Sequence, residues 1–421
     1  MKIFLLLLSA LLVSSCTAPK EEQWYKGNTH THSLWSDGDD FPEMIVGWYK
    51  ERGYDFVALS DHNILAVSEK WMSLDEIKER QLDDELDAFV KERQLINGLG
   101  AFEKYQIKYD NSWIETRENE GLTEVRLKKL NEFRTLFEEP GKFLILQAEE
   151  ISNKSQDKPV HINAINIPGE TVLPWVSSDA SVQEVMRENL RAVAELEKKT
   201  GQPILAHLNH PNFRWAITAE DLAHVVEEQF FEVYNGHPGV NHLGDADHPG
   251  DQLIWDIANT IRLAELDAAP LYGVATDDSH TYHGGEKSPG RGWIMVRAEE
   301  LDGNAIVEAM RAGNFYSSTG VVVNAIDFNS GNNTLSVEID AEEGILYSTQ
   351  LIGTRKGYDP SVSDGTGIGE VFAEQTGTTV SFDIPSDALY ARATITSTKS
   401  HPNPSYDNQM EQAWIQPVGW R

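Results

Sequence analysis

The sequence holds a single cysteine, Cys16, among 421 residues. No disulfide can form within the chain, and no metal site in it can be built from paired thiolates. Cations are scarce as well: 35 Lys and Arg stand against 67 Asp and Glu, a formal charge of -32. Affinity for nucleic-acid backbones comes from Lys and Arg, so this balance argues against a nucleic-acid partner. It says little about a small anion, which responds to local fields. The apolar run from Ile3 to Val13 is shorter than the roughly 20 residues that cross a bilayer. No internal repeat or low-complexity segment stands out, and a chain of this length can bury a large core as one main unit plus an appendage.

What is present begins at the N-terminus. Lys2 followed by the short apolar run reads as a signal peptide. Leu12-Val13-Ser14-Ser15-Cys16 resembles the lipobox of bacterial lipoproteins, in which the cysteine is lipidated and becomes the mature N-terminus. Residues 1–16 are therefore expected to be a lipoprotein signal with Cys16 as lipidation site, and residues 17–23 a polar tether. The resemblance implies a cell-envelope lipoprotein of the outer membrane, periplasmic or surface-exposed, held to the membrane by its lipid.

The chemistry starts at Gly27-Asn28-Thr29-His30-Thr31-His32. Side chains on an extended strand alternate faces, so histidines two apart point the same way and can grip one ion together. Asp37, in a Ser-Asp-Gly turn, adds an oxygen donor. Strand-like apolar runs then recur, and nearly every one ends in His, Asp or Glu. Residues 55–59 lead to Ser60-Asp61-His62, and residues 143–147 to Glu149-Glu150. Residues 160–167 carry His161, and residues 203–206 lead to His207-Leu208-Asn209-His210. Residues 230–235 form a sixth run, and residues 271–275 lead to Asp277-Asp278-Ser279-His280. Helices are predicted at 42–53, 180–199 with Ser178 or Asp179 as cap, 251–267 and 303–312, and Thr218 to Asp221 reads as a capping box. Crossover-length spacings after the first two strands predict a mostly parallel, seven-stranded sheet closed or nearly closed into a barrel, with its polar residues at the strand ends. Imidazole and carboxylate together suit zinc, manganese or iron.

Residues 64–140 interrupt this rhythm. They are charged and helix-prone, notably 75–90 and 120–138, and predict a helical lid or side wall in which Arg126 and Lys128 are candidate substrate contacts. From residue 321 onward, short alternating runs between Gly, Asn, Asp and Ser turns predict a small antiparallel β-sandwich, 321–421.

His30-x-His32, Asp37, Ser60-Asp61-His62, Glu150, His161, the segment 207–210 and Asp278-x-His280 occur in the order found in the PHP superfamily, the polymerase and histidinol phosphatase domains. The chain resembles that superfamily over residues 24–320, and Glu232 to Gly236 with Asp278-Ser279-His280 is similar to its secreted, carbaryl-hydrolase-like branch. The resemblance implies a metal-dependent phosphoesterase on a distorted seven-stranded β/α barrel with two or three divalent metal ions in its mouth. It implies His30, His32, Glu150 and Asp278 on the first ion, and Glu150, His161 and one histidine of 207–210 on the second. Asp37, His62 and His280 would take a third. Glu149 and Glu150 both stand at the bridging position and Glu150 matches better; His210 is preferred to His207.

Such ions would lower the pKa of a water for attack on a small phosphomonoester or phosphodiester. Asp61 is expected to hold the His62 imidazole by a hydrogen bond, His207 and Asp277 are candidate general acids, and Arg214 and Arg291 are candidate phosphate clamps. The second expectation is a carboxylic or carbamic ester or amide hydrolase on the same metals. The third is a non-catalytic lipoprotein that binds a surface ligand. His224, His237, His242, His248, His283 and His401 read as ordinary core or surface histidines.

Overall fold

The computed structural model describes residues 22–81, 100–174, 176, 179–358 and 367–420. Cys16 with the rest of the predicted signal, the second half of the predicted 75–90 helix, and Ser178 lie outside the described residues. The strands are, in chain order, β1 (Gln23–Asn28), β2 (Phe56–Leu59), β3 (Lys70–Ser73), β4 (Thr116–Asn119), β5 (Leu122–Leu127), β6 (Leu144–Ser155), β7 (Lys158–Ile165), β8 (Leu205–Leu208), β9 (Phe230–Asn235), β10 (Tyr272–Thr276), β11 (Trp293–Ala298) and β12 (Phe315–Ser318). They are followed by β13 (Val323–Asn329), β14 (Thr334–Ile339), β15 (Tyr347–Arg355), β16 (Glu370–Thr376), β17 (Thr379–Asp383), β18 (Ala388–Ser400) and β19 (Met410–Val418). The helices are α1 (Pro42–Glu51), α2 (Leu74–Arg80), α3 (Ala101–Lys108), α4 (Leu130–Phe137), α5 (Val182–Thr200), α6 (Ala219–His224), α7 (Asp251–Ala264) and α8 (Gly303–Arg311). None of the described helices is long and apolar enough to cross a membrane.

The chain is mixed α/β, and one 13-stranded sheet runs through it in the order β10-β9-β8-β7-β6-β2-β1-β11-β12-β19-β18-β15-β16. The seven predicted strands are neighbours in its first half. Their pairing is less parallel than expected: β1-β2, β2-β6, β8-β9 and β9-β10 are parallel, while β6-β7 and β7-β8 are antiparallel. The reason is length. Only Gln156 and Asp157 separate β6 from β7, with Gln156 at φ 55°, and a parallel return needs a crossover of a dozen residues or more. The free edge of β10 carries no backbone ladder to β12 or β19. Instead Gly273 N donates to Gln416 Oε1 (2.9 Å), and Gln416 Nε2 (2.9 Å) and Ser317 Oγ (2.8 Å) donate to Gly273 O.

The helices sit where their caps dictate. Ser181, rather than Ser178 or Asp179, caps α5, in a capping box with Glu184, and Gly201 stops the helix at φ 73°. Thr218 and Asp221 form the capping box of α6. The insertion is mixed rather than helical. Residues 122–127 pair with β3 and β4 as an antiparallel strand, and only 130–137 of the predicted 120–138 helix is helical. Alternate residues Val125 and Leu127 are buried, a period of two, and Glu120 (φ 50°) with Gly121 (φ 83°) forms the two-residue turn with both φ positive that favours hairpins. Downstream, β13-β14-β17 forms a separate three-stranded sheet. Its buried Leu335, Val337 and Phe382 share one apolar cluster with Leu351, Ala393 and Ile415 of the large sheet.

Glu228, just before β9, is fully buried, and burial pushes its carboxyl up to about 8 against an ordinary 4.5. The folded state thus holds a proton that the unfolded chain loses above pH 4.5. This contribution to stability is complete below that pH and is lost as pH rises through about 8. Glu228→Gln is neutral at every pH, so its unfolding free energy in urea titrations is expected to gain on the wild type between pH 5 and pH 8, by an amount on the order of a few kcal/mol.

Candidate metal centre

The residues at the strand ends converge on Glu150. The backbone reasons are specific. Asn28 takes His30 N on its Oδ1 (2.9 Å) and donates to Gly292 O (2.9 Å), and Asn163 Nδ2 donates to Thr29 O (2.9 Å). His32 N donates to Ser279 O (3.0 Å), tying this segment to the end of β10. His62 and Glu150 face each other across an isolated parallel bridge. The result is that Glu150 Oε1 lies 2.9 Å from His161 Nδ1 and 3.5 Å from both His30 Nε2 and His210 Nε2, while Oε2 lies 2.6 Å from His62 Nδ1 and 3.4 Å from His32 Nε2.

Asp278 is the second carboxylate of the cluster. Its Oδ1 lies 3.1 Å from His32 Nε2, 3.2 Å from His30 Nε2 and 3.7 Å from His280 Nδ1. Asp37 is the third, at 3.5 Å from His32, 3.4 Å from His62 and 3.5 Å from His280. Its side chain is 49% exposed, so it marks the open side. Gly38 permits this turn, because a Cβ there would stand 2.5 Å from His32 O. Among the described residues, three groups of donor atoms could each hold an ion: His30, His32 and Asp278; His62, Glu150 and His161; and His32, Asp37, His62 and His280.

The donor set fits divalent ions. His30 Nε2 and Glu150 Oε2 are buried, and their close contacts to carboxylate and imidazole lack hydrogen-bond geometry, which protein interiors rarely tolerate without a further partner. Burial opposes charge on these groups, yet the mutual attraction is stronger. Despite burial, Asp278, Glu232 and Glu150 hold His30 well above its ordinary value, and His62, His30 and His161 hold Glu150 well below its own. His32 goes the other way, down to about 4, through burial and the neighbouring His280 and His62. Nitrogen and oxygen donors without sulfur suit zinc, manganese or iron, and ligation would displace the protons the cluster otherwise holds.

Three neighbouring pairs divide between the centre and its surroundings: Glu149 and Glu150 by strand alternation, since consecutive side chains point to opposite faces, and Asp61-His62 and Asp277-Asp278 just beyond the ends of β2 and β10. Glu150 enters the centre, whereas Glu149 turns away, accepts from Leu173 N (2.9 Å) and is raised to about 7 by burial. Asp278 enters, whereas Asp277 accepts from Tyr49 Oη (2.7 Å) and from the backbone of Gly290, Arg291 and Gly292 (2.9, 2.6 and 2.9 Å). His62 enters, whereas Asp61 accepts from Ser33 N and Oγ (both 2.8 Å) and from Ser36 N and Oγ (3.1 and 2.6 Å). Asp61 therefore braces the turn before Asp37 and does not hold the His62 imidazole; the His62 Nδ1 neighbours are Ser152 Oγ and Glu150.

The two fifth-strand histidines also separate. His210 reaches Glu150, while His207 is fully buried with its ring centroid 6.4 Å from that of His30, and burial lowers it to about 4. At that value it lacks the proton a general acid needs at neutral pH. Arg291 is buried and committed to Gly236 O (2.7 Å) and Asn403 Oδ1 (3.2 Å), so it is no open clamp. Arg126 pairs with Glu115 and Glu132, and Lys128 with Glu115, on the insertion itself. The insertion instead braces the Asp37 turn: Lys70 Nζ donates to Trp35 O (2.6 Å), and Arg80 to Ser36 O.

Arg214 is exposed, at φ 54°, with its guanidinium carbon 5.3 Å from the Phe213 ring centroid. That ring abuts His210 (5.2 Å) and His237 (5.7 Å), and His237 abuts His280 (5.7 Å). His237 thus lines the centre, contrary to its reading as an ordinary surface or core residue. Glu232 and Asn235 were given no role from sequence. Glu232 Oε1 accepts from His30 Nδ1 (2.7 Å) and Thr276 Oγ1 (2.7 Å), and Asn235 Nδ2 donates to Glu232 Oε2 (2.7 Å) and Asp278 Oδ2 (3.1 Å). A glutamate inside the apolar run Phe230-Phe231-Glu232-Val233-Tyr234 was the available signal, because a buried charge needs a partner.

No protein-family model and no curated protein matches the chain. Among solved structures, it is similar to a two-domain protein from Bacteroides vulgatus containing a predicted PHP-like metal-dependent phosphoesterase, at 15% identity and TM-score 0.40, over 94% of this chain and 95% of that one. It is similar to a protein from Bifidobacterium adolescentis assigned provisionally as a metal-dependent phosphoesterase, at 12% identity and TM-score 0.29, covering 68% and 94%. It is also similar to an amidohydrolase from Chromobacterium violaceum with bound sulfate and no metal, at 12% identity and TM-score 0.28, covering 61% and 88%. These likenesses are distant, and the chemistry rests on the donor atoms.

Proposed function

We propose that this chain is a metal-dependent hydrolase that cleaves a small phosphate ester outside the cytoplasm. The observation that carries the reading is Glu150, a buried carboxylate with five imidazoles within 3.5 Å of its two oxygens. In this reading β1, β2 and β6–β10 curl into a distorted barrel, with its edge near β12 and β19, the sheets after residue 321 form a sandwich, and Cys16 carries the lipid. Bound divalent ions, two or three in number, would supply Lewis acidity, lowering the pKa of water and neutralising charge on the ester oxygens. His30, His32 and Asp278 would hold one, with Glu150 shared toward His161, His210 and His62, and Asp37 and His280 on the open side.

The chain's own residues do the rest. Glu232 fixes the His30 ring so that Nε2 faces the centre. His237 and Phe213 pack edge to face as an aromatic wall beside His210 and His280. Arg214, at the rim of that wall and without an ion pair among the described contacts, would meet a substrate anion. A carboxylic or carbamic ester is the second reading, favoured by one observation: the Arg291 fork is already occupied by Gly236 O and Asn403.

Elemental analysis of the mature protein, with turnover of nitrophenyl phosphate, bis-nitrophenyl phosphate and a nitrophenyl ester, tests both. Two or more equivalents of zinc, manganese or iron with phosphate-ester turnover supports the first reading, and ester turnover alone the second. Protein that takes up no metal and stays inactive sinks both. Arg214→Ala is expected to raise KM for the phosphate ester roughly 10-fold, with kcat nearly unchanged, as loss of one charge-assisted contact of about 1.5 kcal/mol requires.

A further inference from the structure

The loop from His401 to Gln409, between β18 and β19, carries the C-terminal strands to the back of the metal centre. His401 accepts Asn403 N on Nδ1 (3.1 Å), which leaves Nε2 to donate to Arg291 O (3.1 Å). Asn403 accepts Arg291 Nη2 on Oδ1 (3.2 Å) and donates from Nδ2 to Ser288 Oγ (2.9 Å) and Pro289 O (3.2 Å). The loop therefore grips the whole turn 288–291.

That turn reaches chain neighbours of the centre on two sides. Its backbone N–H groups at Gly290 and Arg291, with that of Gly292 just after it, hold Asp277, the residue before Asp278. The Arg291 guanidinium holds Gly236 O, the residue after Asn235, and Asn235 donates to Asp278 Oδ2. A second strut joins the same loop to β9: Tyr234 Oη lies 3.0 Å from both Ser405 Oγ and Gln409 Nε2. Asp278 itself sits at φ 47°. A non-glycine residue holds that conformation only where its surroundings over-determine it.

We infer that the loop His401–Gln409 is a positioning element of the metal centre: through Arg291 and Asn403 it sets the reach of Asp278, so the C-terminal strands tune affinity for the ion held by His30, His32 and Asp278. This rests on the metal-dependent reading above. Arg291 is suited to such a role because its acceptors, Gly236 O and Asn403 Oδ1, are neutral and directional rather than a carboxylate partner.

The test is calorimetric titration of metal-stripped wild type, Asn403→Leu and Asn403→Asp with manganese and with zinc, beside thermal unfolding of each metal-free protein. Asn403→Leu removes the acceptor for Arg291 and is expected to weaken one ion about 10- to 100-fold, the range for residues that orient ligands, while the other sites titrate as in wild type. Asn403→Asp keeps the acceptor for Arg291 but loses the donor to Pro289 O, and is expected to recover only part of the affinity that leucine loses. A leucine variant that binds every ion like wild type overturns the inference. Should Asn403→Leu fail to fold, Tyr234→Phe cuts the second strut while keeping the ring, and unchanged affinity there overturns it equally. If wild type takes up no ion, the metal-dependent reading falls first and this one with it.

Discussion

Replacing Glu150 by glutamine is expected to remove at least one equivalent of bound metal and to lower turnover by about 10² to 10³-fold or more. The carboxylate is buried at the meeting point of His30, His32, His62, His161 and His210. Removing one partner of a buried charged set costs about 3–5 kcal/mol, and each 1.4 kcal/mol is tenfold in affinity. The amide also turns one acceptor into a donor aimed at imidazole nitrogens. Glu149→Gln is the internal control. It lies one residue away and is just as buried, but it bonds Leu173 N on the opposite face, so metal content is expected to stay at the wild-type level. Elemental analysis of the two variants side by side decides the matter. Equal metal loss from both would mean that the register of β6 does not govern the centre.

The second large effect lies away from the centre, where α7 meets β18. Asp256 Oδ1 and Oδ2 accept from Arg392 Nε (2.8 Å) and Nη2 (2.6 Å), and Tyr390 Oη donates to Oδ1 (2.7 Å). The two charged side chains are 2% and 4% exposed, and the guanidinium lies over Trp255. Arg392→Met leaves a buried carboxylate with only the tyrosine for company, and is expected to lower stability to urea by about 3–5 kcal/mol. The double variant Asp256→Leu/Arg392→Met is expected to recover most of that loss, because it removes the stranded charge. A double variant no better than the single one would show that the pair is worth more than the apolar packing that replaces it.

Much of the centre was legible because strands obey a period of two. His30 and His32 could be paired from spacing alone, and apolar runs ending in His, Asp or Glu marked the other donors. The same rule, applied one step further, would have separated Glu149 from Glu150 within β6. What spacing cannot convey is how strands far apart in sequence come to face each other. Glu232 meets His30, and Arg291 meets Asn403, through tertiary contacts with no local pattern. The β6-β7 hairpin was missed because Gln156-Asp157 lacks the glycine that usually announces a tight turn. The insertion was misread because Leu122 to Leu127 is rich in residues tolerated by either helix or strand, and only its pairing with β3 and β4 decided.

The strand order has a consequence for how the molecule is assembled. β1 is flanked by β2 on one side and by β11 on the other, in the register Gln23 to Ala298, and β12 is completed by β19, which follows every other strand in the sequence. Pairings this remote carry a loop-closure entropy that slows folding. Until β19 docks, β12 is an open edge able to recruit another chain. The sheet therefore offers no seam at residue 321 where the molecule could be divided and each piece expected to stay monomeric, and a nascent or truncated chain would need that edge shielded.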